Sequence, residues 1–422
     1  MDTANTRDGL LRPGRRSSVR RLFVTLAAFG PGIIVMLANT DAGCIVTAAQ
    51  SGAQWRYAMV LPQIILIPIV YLVQEITVRL GIVTGKGHGD LIREHFGMKW
   101  AVISVTTLFL SAMGALVTEF SGIAGVGELV GIPFWFSVSV ATVVLIALGL
   151  SGSYKKVERI GIAVGLFELL LIPAALMAHP DPSEFLKGLG TLPLGQSSYV
   201  FLLAANVGAV IMPWMIFYQQ SAVVDRHLLP SQLRSSRLDT AVGSVITQLV
   251  MIAVVVMIAA TIGRTHPNHP LDTVGQIAGG LTPFLGVFGA KVVFGLGMMG
   301  ASFVAALVVS LAAAWGVGEV WSLNHSVNMK VKDAKWFYGI YTLAHIGGAI
   351  LVFSGINLVR LDVDTEVMNA LLLPLVLGML LVLEARVLPT AWRMKGMYRW
   401  VVWSVSAVVM SFGVYMGVSL AV

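Results

Sequence analysis

The 422-residue chain is 57% hydrophobic and only 12% charged, with a mean hydropathy of +0.84 and a formal net charge of +7. A soluble protein carries roughly 25% charged residues, so this composition excludes a soluble globular domain and leaves a polytopic membrane protein facing lipid. One cysteine excludes a disulfide framework or a multi-cysteine metal cluster, and the +7 is no argument for a nucleic-acid partner, because its distribution matters more than its sum.

Residues 1–21 form a basic arm, with Arg7, Arg12, Arg15, Arg16, Arg20 and Arg21, and the apolar run behind it has no clear small-residue cleavage site. The arm is expected to anchor topology rather than to be a cleaved leader. The first apolar stretch, 22–51, is interrupted by Leu37-Ala38-Asn39-Thr40-Asp41-Ala42-Gly43-Cys44. An amide, a hydroxyl and a carboxylate stand there in consecutive positions. A charge at mid-bilayer costs about 2.5–3.5 kcal/mol even on a lenient scale, which makes Asp41 a candidate functional residue. Asn, Thr and Asp compete for backbone hydrogen bonds and Gly43 frees the backbone, so the helix is expected to unwind here and offer carbonyls to an ion.

Further apolar stretches fall at 57–80, 101–120, 132–150, 160–178, 198–222, 240–263, 285–317, 336–355, 366–388 and 397–420, making eleven with the first. Their lengths of about 18–25 residues suit membrane helices. With the N-terminus inside, 23 of the 28 basic residues lie in inner segments, leaving Arg56, Lys187, Arg264, Lys291 and Arg360 outside or at outer helix ends. One false span would flip every later loop and destroy that asymmetry. The expected protein is all-α, integral to the cell (inner) membrane, with a cytoplasmic N-terminus and an outer C-terminus.

The sixth span has its own break at Asn206-Val207-Gly208-Ala209-Val210-Ile211-Met212-Pro213-Trp214. Pro213 removes an amide donor, and Gly208 loosens the helix one turn earlier. Spans one and six are an odd number apart and cross in opposite directions. Two broken helices at matching places in two five-span halves point to an inverted-repeat transporter with its site at the midplane. The halves are placed at 22–178 and 198–388, with an additional eleventh helix at 397–420.

Several motifs point to enzymes and fail on context. Gly295-Leu296-Gly297-Met298-Met299-Gly300 matches a dinucleotide fingerprint but lies within the eighth span, with no strand before it. Gly87-His88-Gly89-Asp90 resembles an intramembrane protease motif, yet the second aspartate such enzymes carry after Tyr is absent. No catalytic residue and no cofactor is expected. Glu119 in span three, beside Thr118, Ser121 and Gly122, is read as a coupling or conduction residue. Glu168 in span five is open between a helix-end carboxylate and a functional one. His266 and His269 are read as solvated loop residues and His345 as a hydrogen-bonded packing histidine.

The block Gly30-Pro31-Gly32 with Asp41-Ala42-Gly43-Cys44 and Ser51-Gly52-Ala53-Gln54-Trp55 resembles the first span of the Nramp divalent-metal transporters. Leu80 to Lys86 resembles the family's loop after span two, and Gly208 to Pro213 resembles its span six. The resemblance covers nearly the whole chain and implies a LeuT-like fold. In that family the metal is held by the span-one Asp and Asn, a span-six Met sulfur and nearby carbonyls. By position this implicates Asp41, Cys44, Met212 and the carbonyls of Ala38 and Ala209. The departures matter: the family's Asn-Pro pair is changed to Cys44 and Ala42, and its span-six histidines are changed to Trp214 and to Gln219 or a neighbour. The pattern is most like the Nramp-related magnesium transporter branch, which implies Mg2+ or Mn2+ as transported substrate without evident proton coupling. A proton-coupled Mn2+/Fe2+ symporter and, more remotely, an organic-solute carrier of the same fold are the alternatives. Partners are then the metal ion and the lipid bilayer, with no protein partner inferred. Mg2+ is hard and suits carboxylate and carbonyl oxygens, whereas a Met thioether suits softer ions. A Cys ligand must first lose its proton, so Cys44 is expected to be a neutral lining residue.

Overall fold

A lipid-embedded backbone must satisfy every N–H and C=O internally, which leaves helices or closed barrels. This chain takes the helical solution: the computed structural model describes residues 30–354 and 358–421, and no strand occurs among them. The basic arm at 1–21 and the start of the first span lie outside the described residues. In chain order the helices are α1 (Pro31–Ala38), α2 (Ala42–Trp55), α3 (Val60–Thr84), α4 (His88–Phe96), α5 (Met98–Leu129) and α6 (Phe134–Gly149). There follow α7 (Tyr154–Gly165), a 3-10 stretch at Leu166–Leu170, α8 (Leu171–Met177), α9 (Pro182–Leu189), α10 (Ser197–Val210) and α11 (Pro213–Asp225). The remainder is α12 (Leu233–Ala260), α13 (Ile262–Thr265), α14 (Val274–Gly279), α15 (Thr282–Trp321), α16 (Lys335–Val352), α17 (Leu358–Val387) and α18 (Gly396–Ala421).

Eight helical stretches among the described residues are long and apolar enough to cross a membrane, one of them the run Ala42–Thr84. The expected count of eleven divides that run between spans one and two, and adds the shorter Phe134–Gly149 and Lys335–Val352. Both expected breaks are present. The first span parts between α1 and α2, with Asp41 extended (φ −63°, ψ 177°), and the sixth parts between α10 and α11, with Met212 extended (φ −104°, ψ 142°). The tempting glycine motif at 295–300 lies inside the long helix α15.

One boundary differs in a way that matters. Span ten was expected from 366, which left Arg360 outside or at an outer helix end. Instead α17 begins at Leu358. Arg360 and Asp364 are exposed, while Asp362, Glu366 and Asn369 are buried at helical spacing on one face. The charges were averaged by hydropathy but are sorted by the helix.

The broken helices sit at the centre of the bundle. Helix α10 packs extensively on α17, α12 on α1 and α2, and α15 on α5. Gly208 sets the α10–α17 distance: a Cβ there would stand 1.8 Å from the Glu366 carbonyl oxygen and 2.8 Å from the Ala370 nitrogen. Asn206 ties the same helix to its neighbours, donating to Ser51 Oγ at 2.8 Å and accepting from the Gln63 amide.

Two seals close the bundle around its midpoint. At the Gly30 end, the Asp239 carboxylate accepts the N–H groups of Gly30 (3.1 Å), Gly32 (2.7 Å) and Ile33 (3.3 Å), replacing the missing side-chain cap of α1. The Arg226–Glu158 ion pair at 2.9 Å lies against the same glycine. At the other end, Gln50 of α2 pairs with the Leu271 backbone, donating at 2.5 Å and accepting at 3.0 Å.

Gly208→Ala is expected to force α10 and α17 apart at backbone atoms that no rotamer change can relieve, lowering stability by about 1–3 kcal/mol or more. Thermal unfolding of the detergent-purified protein checks this. Gly195→Ala, with nothing within 4 Å of its built Cβ, is the control that should change little.

Candidate functional site

The first break is made by hydrogen bonds that leave the helix. In an unbroken helix the Ala42 N–H would bond the Ala38 carbonyl; here it donates to Glu119 Oε2 at 3.2 Å. The Ala38 carbonyl thereby loses its helical donor. Asp41 then caps α2, its Oδ1 accepting from the Cys44 N–H at 2.8 Å. Thr40 turns the other way and shares a 2.6 Å hydrogen bond with Thr247 of α12. Asp41 Oδ2 is buried and accepts from no described residue.

The second break follows the same logic. Pro213 stands four residues after Ala209 and has no N–H, so the Ala209 carbonyl cannot be satisfied within the helix. It accepts the Cys44 thiol at 3.0 Å instead. The two breaks therefore touch, with Cys44 of one against the carbonyl of the other. Met212 is buried as the N-cap of α11, and its sulfur accepts the Trp214 indole N–H at 2.9 Å.

A residue that sequence reasoning missed completes the cluster. Ligand atoms of Asp41, Cys44 and Glu366 lie within 4.8 Å of one another, and all three residues are buried. Glu366 Oε2 accepts from Asn369 Nδ2 at 3.0 Å, and Asn369 in turn accepts from Ser111 Oγ at 2.7 Å. Its other oxygen, Oε1, has no donor among the described residues and lies where a Cβ on Gly43 would be 2.4 Å away. Gly43 is thus required for α17 to bring this carboxylate against the break. The signal was present as the spacing Asp362, Glu366, Asn369, which is one helix face, but the expected tenth span began at 366 and cut that face short.

The other expected residues are distributed as follows. Glu119 is fully buried and joins the break through Ala42. Gln219 is buried and donates to Thr240 Oγ1 at 2.9 Å, away from the cluster. Glu168 is buried without a hydrogen-bond donor, so it is not a carboxylate reaching an interface. His345 is a packing histidine, its Nδ1 at 2.9 Å from the Tyr341 carbonyl, and His266 and His269 are exposed in their loop. The histidine next along the inner path, His88 in α4, pairs with Gln220 at 3.1 Å, and burial pushes its imidazole down to about 4. It is neutral at physiological pH.

Such an arrangement can hold a cation. An ion with ligands at about 2.1 Å spans roughly 4.2 Å across, so ligand atoms within 4.8 Å bracket one ion of that size. Two carboxylates supply hard anionic oxygens, and the Ala209 carbonyl joins them through the Cys44 thiol.

Comparison with known proteins agrees with this reading of the fold. The profile described as "Natural resistance-associated macrophage protein-like" (Nramp) matches residues 32–419. A divalent metal cation transporter MntH of Verminephrobacter eiseniae is 27% identical over 388 residues, covering 87% of this chain and 82% of that protein. The MntH of Klebsiella pneumoniae is 25% identical over 406 residues, covering 92% and 93%. Among solved structures, a manganese transporter of Eremococcus coleocola in complex with an aromatic bis-isothiourea compound superposes with a TM-score of 0.74 at 17% identity, covering 96% of this chain and 87% of that one. MhsT in complex with L-phenylalanine superposes at 0.60 and 15% identity, covering 94% and 98%, which places the fold in the wider LeuT-like group. With a profile match over nearly its full length and both broken helices in place, the chain belongs to the Nramp family.

Proposed function

We propose that this protein carries a divalent metal cation across the membrane by alternating access, with Mg2+ and Mn2+ as substrates and no obligatory proton coupling. The observation that carries the reading is the buried meeting of Asp41, Cys44 and Glu366 at the two helix breaks. Its relatives are named as divalent metal and manganese transporters, which supports the substrate class. Asp41 and Glu366 are the anionic ligands, with the carbonyls of Ala38 and Ala209 beside them. Cys44 remains a thiol that donates to Ala209 and lines the site. Hard oxygens outnumber soft donors here, which favours Mg2+ and Mn2+ over Cd2+. Met212 is the one soft candidate ligand, and the Trp214 indole engages its sulfur.

Alternating access uses the two seals. With the N-terminus cytoplasmic, the Asp239–Gly30 seal is the inner one and the Gln50–Leu271 seal the outer one. Each is a handful of hydrogen bonds worth about 0.5–1.5 kcal/mol apiece, which a protein can exchange at little net cost. In this reading eleven spans form an inverted repeat of 22–178 and 198–388, with the added helix at 397–420 leaving the C-terminus outside. The driving force is the metal gradient and the membrane potential, ~2.3 kcal/mol per charge per 100 mV and twice that for a divalent ion. Span six carries no histidine, and His88, which pairs with its Gln220, is held neutral.

Asp41→Ala is expected to weaken Mn2+ binding by roughly 100-fold or more while the fold survives, since it removes one of the two anionic ligands that offset desolvation of a divalent ion. Calorimetric titration measures it, and normal transport by the folded variant would remove Asp41 from the site. Trp214→Phe frees the Met212 sulfur, so Cd2+ should gain several-fold over Mg2+, and Met212→Ala should cost Cd2+ and Mn2+ more than Mg2+. Equal changes for all three ions would make Met212 a packing residue. In proteoliposomes loaded with a pH-sensitive dye and clamped with valinomycin, Mg2+ or Mn2+ uptake should proceed without internal acidification. Acidification abolished by Glu119→Gln would instead establish the proton-coupled symporter.

A further inference from the structure

The metal site described above uses two carboxylates, but two more are buried beside it. Asp362 stands one turn before Glu366 on the same face of α17 and is only 1% exposed. Neither of its oxygens accepts a hydrogen bond from any described residue. It lies within electrostatic reach of Asp41, Glu119 and Glu366. A structural aspartate in lipid would be paired with a cation or ringed by donors, because an unpaired buried charge costs several kcal/mol. Asp362 has neither in the described structure. Its side chain is the kind of orphan that a bound ion explains.

Its place in the helix shows where such an ion would come from. Val363, next to Asp362, lines an open cavity of about 760 Å3 together with Gln50, Leu271, Asp272 and Asp364. Val359, three residues before, lines a second open cavity with Lys291, Glu128 and Asp272. Both cavities open at the Leu271 end, which is the outer mouth in the proposed orientation. Asp362 therefore lies among the residues of α17 that line the mouth, buried on the opposite face, and one turn before Glu366.

We propose that Asp362 forms a second divalent-cation station on the Leu271 side of the Asp41–Glu366 site, so that the pathway holds a queue of two ions. This inference rests on the metal-transport reading but goes beyond its single site. Geometry supports it: a buried carboxyl group with no donor among the described residues stands one helical turn from Glu366, beside the cavity that Val363 lines. Function supports it as well. Conduction needs sites strong enough to fill and weak enough to empty, and repulsion between two divalent ions a turn or so apart lowers the affinity of both. The arriving ion at Asp362 would loosen the one below it.

Counting ions on the purified full-length protein tests the queue. Equilibrium dialysis with radioactive Mn2+ should give two ions per chain for the wild type, one for Asp362→Asn and two for Asp362→Glu, which keeps the charge. Asp41→Ala should also retain one, held at the outer station. In proteoliposomes, Asp362→Asn should raise the Mg2+ and Mn2+ concentration for half-maximal uptake by about tenfold, the cost of one lost charged contact. A wild type that binds one ion, with Asp362→Asn binding the same one, overturns the queue and leaves the single-site transporter intact. A wild type that binds none overturns both readings. Should Asp362→Asn fail to fold, the wild-type count and the Asp362→Glu count still decide the question.

Discussion

Everything in this molecule turns on backbone groups that a helix in lipid cannot satisfy by itself. Pro213 deprives the Ala209 carbonyl of its donor, and the bond from Ala42 to Glu119 deprives the Ala38 carbonyl of its own. Unsatisfied groups at mid-membrane are tolerated only when they face a partner, and here each break becomes part of the other's environment. Cys44 reaches from one to the other and donates to Ala209 at 3.0 Å. The rest of the bundle, with α12 behind α1 and α2 and α17 against α10, holds these two turns together.

Helix ends also explain why carboxylates collect here. Asp41 sits at the N-terminus of α2, where the exposed N–H groups carry partial positive charge. That field and the Cys44 N–H stabilise the carboxylate, and leave Oδ2 free for another positive charge. Glu366 is oriented differently, by a side-chain relay from Ser111 through Asn369. One acid is positioned by the backbone and the other by an amide. Each keeps one oxygen uncommitted, which is what a ligand to a mobile ion needs. Gly43 and Gly208 are the small residues that let α17 approach closely enough for the two to meet.

The seals at the two ends differ in chemistry. The one at the Gly30 end is ionic, with Asp239 across three backbone N–H groups and Arg226 beside Glu158, and the one at the Leu271 end is a neutral amide paired with a backbone. Charge-assisted hydrogen bonds are roughly twice as strong as neutral ones. On bonding alone, the seal at the Leu271 end is the easier to break.

Read by itself, the sequence was enough for the membrane class, the helical architecture, the two breaks and the position of Asp41 at the first of them. Those follow from local chemistry: apolar runs of spanning length, a proline without a donor, and a charge where charges are costly. Glu119 could also be singled out as an acid in an apolar helix. Glu366 and Asp362 could not. Arg360 and Asp364 stand among the buried acids, so the apolar run alone begins only at 366 and does not show which face turns inward. Only once α17 is docked does one face turn inward and the other outward. The same holds for Met212, whose sulfur is available in the sequence but occupied by an indole in the fold. Tertiary structure decided which oxygens converge and which remain without a partner, because convergence depends on helix rotation and close approach across hundreds of residues, and no local pattern encodes either.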